Sequence, residues 1–219
     1  MVINNWNEIE LSGIKGLLID LDDTLYHYDP VHKKAFDACI NKVESIYNIS
    51  PVEFKNLWKI ARDKVHIDVH GQGASHSRLL YLQKVSELHS GKTNAEFALD
   101  IEHTYWSVFL REMEFRKGVE SFLVRAKLAG LKLAVVTDLT AQIQLQKWQK
   151  LQLDRFFDCL VSSEEAGVEK PSPYIFELAL EKLQLNTNEV AMIGDNPAKD
   201  IAGAEALQIK AYQVIDKTE

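Results

Sequence analysis

Three carboxylates, Asp20, Asp22 and Asp23, follow directly on an apolar run in the stretch IDLDDTL at residues 19–25. Like charges this close repel, and no basic residue stands among them. Either they lie in water as a polar turn, or something cationic sits between them. Other polar groups close apolar runs in the same manner. Thr137-Asp138 follows LKLAVV, Lys170 lies in the loop SSEEAGVEKPSP, and Asp195-Asn196 follows VAMIG with Asp200 shortly after. Brought together, Asp20, Asp22, Asp195 and Asp200 form an oxygen-only set of the kind a hard divalent cation takes, Mg2+ above all. Lys170 adds a second positive charge, and the Thr137 hydroxyl can donate to phosphoryl oxygens. The chemistry this inventory suits is the handling of a phosphoryl group.

These residues converge only if a sheet gathers them. Five β-like segments stand out, at 15–20, 131–137, 157–161, 190–195 and 210–215. Several are continuous apolar runs, as expected of parallel strands covered on both faces. Helical patterns at 119–130, 140–153, 171–185 and 197–208 alternate with them, which predicts a doubly wound α/β sheet. In such sheets ligands bind beyond the carboxyl ends of the strands, where all the polar groups above fall. Residues 32–48, 51–68, 76–89 and 94–113 carry apolar residues at helical spacing instead. That is too much helix for an ordinary crossover, whose loops run about 2–6 residues. The expectation is an α/β core of residues 1–26 and 116–219 and an inserted helical domain of residues 27–115, with linkers near 26–31 and 113–118.

The 219 residues are 46% hydrophobic and 26% charged, with a formal net charge of −7 and a pI near 5.5. The apolar content suffices for a buried core, and the acidic balance argues against a nucleic-acid or anionic-membrane surface. Cys39 and Cys159 match no metal or redox spacing and are expected to be reduced. No signal-peptide pattern opens the chain, and no apolar run nears the roughly 20 residues of a membrane span. The expectation is a cytoplasmic protein, a monomer or homodimer.

The sequence resembles the haloacid dehalogenase-like (HAD) superfamily. GLLIDLDDTL is similar to its first motif DxDx[TV], VVTD to its second at Thr137, EKPSPYIF to its third at Lys170, and IGDNPAKDI to its fourth, GDxxxxD. The four occur in order over residues 16–201, and the insert after the first resembles the family's helical type-one cap. The resemblance implies a Rossmann-like core and a phosphatase in which Asp20 attacks phosphorus to form an aspartyl-phosphate, while Asp22 exchanges a proton with the leaving group and then the water. It implies Mg2+ held by Asp20, Asp195 and the backbone carbonyl of Asp22, supported by Asp200 and Asn196. Thr137, Asp138 and Lys170 would hold the phosphate. Dehalogenases of the family lack the second aspartate, so Asp22 points to phosphoryl chemistry. The chain departs from the family's common pattern at Asp23, read as a turn or cap residue in place of glycine, and at Asp138, which replaces asparagine.

The insert stretch HIDVHGQGASHSRLL holds His66, His70 and His76, but intervening glycines and the lack of a carboxylate pattern argue against a metal there. Ser75 is expected to cap the next helix, and Arg78 reads either as a surface arginine or, with His76, as a site that holds an anionic part of the substrate. Trp58, Trp106 and Trp148 read as packing residues; Trp6 is undecided. The resulting expectation is a Mg2+-dependent phosphatase acting on a small phosphorylated metabolite, a sugar or sugar-acid phosphate foremost. A nucleoside 5′-monophosphatase, a phosphomutase and a non-catalytic binding protein are the alternatives.

Overall fold

A computed structural model describes residues 1–215. The chain divides into two compact units, Met1–His27 with Glu114–Glu219, and Tyr28–Met113.

The first unit is built on a six-stranded, all-parallel sheet in the order β1-β6-β5-β2-β3-β4. The strands are β1 (Val2–Ile3), β2 (Gly16–Ile19), β3 (Lys132–Thr137), β4 (Cys159–Ser162), β5 (Val190–Gly194) and β6 (Lys210–Val214). Every residue of β2 and β5 is buried, which is why both read as unbroken apolar runs. The chain winds outward from β2 through β3 to β4, then returns to the other side of β2 for β5 and β6. That reversal puts the switch point, where open α/β sheets bind ligands, at the carboxyl end of β2. The two-residue β1 pairs Val2 with Gln213 and is too short to show any periodicity.

Helices α5 (Val119–Leu128), α6 (Ala141–Leu151), the short α7 (Ser163–Ala166), α8 (Pro173–Leu183) and α9 (Ala202–Ala206) belong to this unit. In α8, Pro173 opens the first turn, and Ile175, Phe176, Ala179, Leu180 and Leu183 recur at three and four residues. They join Leu18, Val136, Val161 and Met192 of the strands in one core. The predicted helix at 197–208 is two pieces, a π-helical turn at Pro197–Ile201 and then α9. Trp6 is buried and packs on Phe122, with ring centroids 5.1 Å apart.

The second unit is all helical: α1 (Tyr28–Tyr47), α2 (Pro51–Asp68), α3 (Arg78–Ser90) and α4 (Ala95–Glu112). Helix α1 begins at Tyr28, so much of the stretch read as a linker is its first turn. Phe54, Trp58, Ala61 and Val65 of α2 and Ile101, Tyr105 and Phe109 of α4 form buried stripes at helical spacing. Ser50 and Asn94 cap α2 and α4 by accepting from Glu53 N–H and Phe97 N–H. Ser75 does not cap α3. The cap is Ser77, which accepts from Leu80 N–H, because Gly73–His76 form a 3-10 turn that buries Ser75. Both cysteines are free. Among the described residues no helix is long and apolar enough to cross a membrane.

Candidate active site

Each strand end in the α/β unit delivers one polar group. Asp20 follows β2 and donates its N–H to Ile193 O of the neighbouring β5 at 2.9 Å, so the sheet ladder itself fixes its backbone. Thr137 is the last residue of β3 and Asp195 the first after β5. Lys170, 4% exposed, reaches in from the loop after α7; its Nζ lies 2.6 Å from Asp20 Oδ1, 2.7 Å from Asp200 Oδ1 and 3.0 Å from Val136 O.

Asp20, Asp195 and Asp200 each offer a carboxylate oxygen, all within 4.8 Å of one another. Among the described residues this is the one grouping of histidine, cysteine and acidic side chains that could hold a metal, and the histidines of the helical unit form none. Asp200 reaches the group because the π-turn before it is tightly tied. Asn196 Oδ1 accepts from Ala198 N–H and Lys199 N–H at 3.0 Å each, and Asp200 Oδ2 accepts from Asn196 N–H at 3.0 Å. Gly194 makes room: a Cβ there would stand 2.3–2.6 Å from the Asp200 side chain. Asn196 thus shapes the turn that carries Asp200.

Three carboxylates face one lysine in this group. Burial pushes the Asp20 carboxyl well above its ordinary range; Lys170 works against this, and the charges of Asp200, Asp195 and Asp22 add to it. Burial, with Asp200 and Asp23, pushes Asp195 up to about 6. Lys170 is raised well above the ordinary lysine range, since Asp20, Asp200 and Asp138 outweigh its burial. The donor set, all hard oxygen and short of positive charge, fits a divalent cation such as Mg2+.

Asp22 has a different environment. Its Oδ1 accepts from Lys147 Nζ at 2.5 Å and from the Tyr26 hydroxyl, and its Oδ2 from Gln144 Nε2 at 3.1 Å. Burial alone would raise this carboxyl, but Lys147 and the three hydrogen bonds more than offset it, and it is held below the ordinary range. Its carboxylate lies outside the three-aspartate group. Asp138 accepts from Lys170 N–H at 3.0 Å and from Lys199 Nζ at 2.8 Å, so its charge is paired. Asp23 sits in left-handed backbone at φ 59, as suits a turn.

Four residues of the site were not anticipated. The Thr24 hydroxyl lies 3.0 Å from Asp20 Oδ2 and 3.2 Å from Asp195 Oδ1, and it accepts from Asp195 N–H. Thr24 is the final residue of the first motif, so the signal was present. Tyr26, Gln144 and Lys147 carried none; on α6 the last two read as ordinary polar positions.

In the helical unit, Arg78 is buried. It donates to His76 O and the Tyr28 hydroxyl, and the Tyr28, Tyr81, Tyr105 and Trp106 rings lie 5.5–5.9 Å from its guanidinium carbon. Its Nε is buried without a partner, and among the described residues no carboxylate pairs with its charge.

A profile of the haloacid dehalogenase-like hydrolases matches residues 14–208. The ribulose-1,5-bisphosphate 5-phosphatase of Halopiger xanaduensis is 35% identical over 196 residues, covering 89% of this chain and 82% of that protein. The glyceraldehyde 3-phosphate phosphatase of Pyrococcus abyssi is 29% identical over 198 residues, 90% of this chain and 79% of its own. Among solved structures, a 2-haloacid dehalogenase from Pseudomonas syringae superposes with a TM-score of 0.71 at 23% identity, over 91% of this chain and 86% of that one, and so shares the fold. The ordered strand ends and the match along nearly the whole sequence place this chain in the haloacid dehalogenase-like hydrolase family.

Proposed function

We propose that the protein is a Mg2+-dependent phosphatase that hydrolyses a small phosphorylated sugar or sugar acid through an aspartyl-phosphate on Asp20. The chain is a phosphoric monoester hydrolase: its relatives over most of its length are phosphatases, and it keeps the second aspartate of the first motif. The observation that carries the mechanism is the pairing of Asp20 with Lys170, beside Asp195 and Asp200, while Asp22 two residues on lies in a separate cage.

Asp20 is fixed by the sheet, with Oδ1 accepting from Lys170 and Oδ2 from Thr24, and each oxygen keeps a lone-pair site, so one of them can be presented to phosphorus in line with the leaving oxygen. Attack forms the Asp20 Oδ–P bond and breaks the bond from phosphorus to the leaving oxygen, which takes a proton from Asp22. Water then forms a new bond to phosphorus, passes its proton to Asp22 and releases Asp20. Lys170 and Thr137 would neutralise and orient the phosphoryl oxygens. Asp20, Asp195 and Asp200, with the backbone carbonyl of Asp22, would hold Mg2+, which supplies charge neutralisation when bound. Arg78 and His76 would recognise an anionic part of the substrate. The sugar phosphates named for the relatives support that substrate class.

The test is inorganic phosphate release from sugar phosphates, sugar-acid phosphates, nucleoside monophosphates and phosphoglycolate, with and without Mg2+. Metal-dependent release from the sugar class, abolished in Asp20→Asn, is expected. Asp20→Asn turnover near wild type would overturn the nucleophile assignment.

A further inference from the structure

Lys147 is a lysine on a helix that no motif marks, yet it is 1% exposed and spends its ammonium on Asp22. A buried ammonium is costly unless paired, so its placement is held by a specific need rather than by packing. Gln144, one turn earlier on α6 and wholly buried, brings Nε2 to 3.1 Å from Asp22 Oδ2, 2.7 Å from Thr137 Oγ1 and 2.9 Å from Asp138 O. Its two protons serve three acceptors, so it ties the Asp22 carboxylate to the end of β3. Tyr26 completes the cage from the segment that follows Asp22 itself.

The two oxygens of Asp22 are not equivalent in this cage. A carboxylate oxygen has about two lone-pair sites. Oδ1 uses both, one on Lys147 and one on Tyr26. Oδ2 meets Gln144 alone and keeps one site, and the Asp22 side chain is 28% exposed, so that site can reach solvent or a reactant.

We infer that Lys147, with Gln144 and Tyr26, is a positioning residue that fixes Asp22 so that its exchangeable proton is carried on Oδ2 alone. The inference rests on the reading of Asp22 as the proton donor to the leaving oxygen. In the first step the proton leaves Oδ2 for the leaving oxygen as the P–O bond breaks; in the second, Oδ2 takes a proton from water as the new P–O bond forms. Without Lys147 the carboxylate can turn about its Cβ–Cγ bond, and the proton-bearing oxygen no longer faces the ester. The loss then depends on how much the leaving group needs that proton, which a merely structural role would not produce.

The experiment compares kcat/KM for 4-nitrophenyl phosphate, whose leaving group departs as a weakly basic anion, and phenyl phosphate, whose leaving group needs protonation. It uses the wild type, Lys147→Met, Lys147→Gln and Asp22→Asn. The ratio of the two values does not depend on how much of a preparation is folded, so partial misfolding leaves the test intact. In Lys147→Met the phenyl ester is expected to lose at least tenfold more than the nitrophenyl ester. Lys147→Gln, which keeps a donor, should lose less, and Asp22→Asn should show the same bias as the methionine variant. A bias in Asp22→Asn with equal losses in both Lys147 variants overturns the inference alone. Equal losses in Asp22→Asn overturn the donor reading beneath it.

Discussion

Replacing Lys170 with methionine removes the one cation that the protein supplies to three carboxylates. The Lys170 ammonium lies 2.6 Å from Asp20 and 2.7 Å from Asp200, and those carboxylate side chains are 7% and 1% exposed. Breaking a buried pair by removing one partner costs about 3–5 kcal/mol, because an uncompensated charge stays behind. Here one lysine serves two carboxylates, which puts the loss towards the upper end in metal-free protein at pH 8. A chain of this size loses roughly 2–4 °C of Tm per kcal/mol, so the expected fall is about 6–20 °C. The sign of the pH dependence follows from Asp20. Its carboxyl is already raised in the fold, first by burial, and losing Lys170 raises it further. A raised carboxyl favours the fold while protonated, and that contribution fades as pH climbs through its folded value. The variant should therefore approach wild-type stability at pH 5 and separate from it at pH 8. The assay is thermal unfolding in EDTA at both values, and Mg2+ should return part of the loss at pH 8 by replacing the missing charge. A fall of under about 3 °C at pH 8, or the same fall at both pH values, would refute the electrostatic account.

Three other outcomes follow from the same geometry. Gly194→Ala places a methyl group within 2.3–2.6 Å of the Asp200 side chain, so the Mg2+ concentration for half-maximal activity should rise at least tenfold; an unchanged value would remove Asp200 from the metal set. Asp195 sits at about 6 in the metal-free fold against an ordinary carboxyl near 4, so its stabilising effect is present below about pH 4 and lost as pH rises through 6. Mg2+ should accordingly raise Tm more at pH 7.5 than at pH 5, and equal shifts would mean that these carboxylates are not the ligands. Arg78→Ala should raise KM for the substrate at least tenfold with kcat largely kept, and an unchanged KM would take Arg78 out of substrate recognition.

The sheet and most of its helices were legible because buried parallel strands read as continuous apolar runs, and the strand ends could then be aligned. Once aligned, Asp20, Thr137, Lys170 and Asp195 fell at one edge, and the structure brings Lys170 and Asp195 to Asp20 while the Thr137 hydroxyl meets Gln144. What sequence did not reveal has physical causes. Asp200 was expected among the carboxylates, but the π-turn held by Asn196 that carries it there was not legible, because it has the same residue composition as an ordinary helix start. Gln144 and Lys147 are polar residues at helical spacing, and nothing in spacing separates a buried lysine paired across the sheet from a solvated one. Ser75 and Ser77 offered equivalent caps two residues apart, and the 3-10 turn that decides between them depends on burial of Ser75. Arg78 read as a surface arginine or an anion site; its burial among four aromatic rings rules out the first.

Asp20 and Asp22 stand two residues apart, yet each has its own lysine, and the two lysines act in opposite settings. Lys170 faces three carboxylates and cannot bring Asp20 down to its ordinary range, whereas Lys147 has Asp22 to itself and holds it low. Taken alone, these directions run against the roles assigned to the pair, since a nucleophile must be ionised and a proton donor must hold a proton. The conflict at Asp20 is one of charge count: three carboxylates against one ammonium leave a deficit that a divalent cation would fill, which would favour the ionised form of Asp20. Metal dependence would follow from how this site is charged, and a variant that relieved the deficit differently, such as Asp200→Asn, should need less Mg2+ to favour the Asp20 carboxylate while binding the metal less tightly. At Asp22 no such deficit exists and Lys147 holds the resting carboxyl low, so the cage directs the proton that Asp22 passes to the leaving oxygen and regains from water, which is why the geometry of Lys147 and Oδ2 matters more there than the carboxyl's resting affinity for a proton.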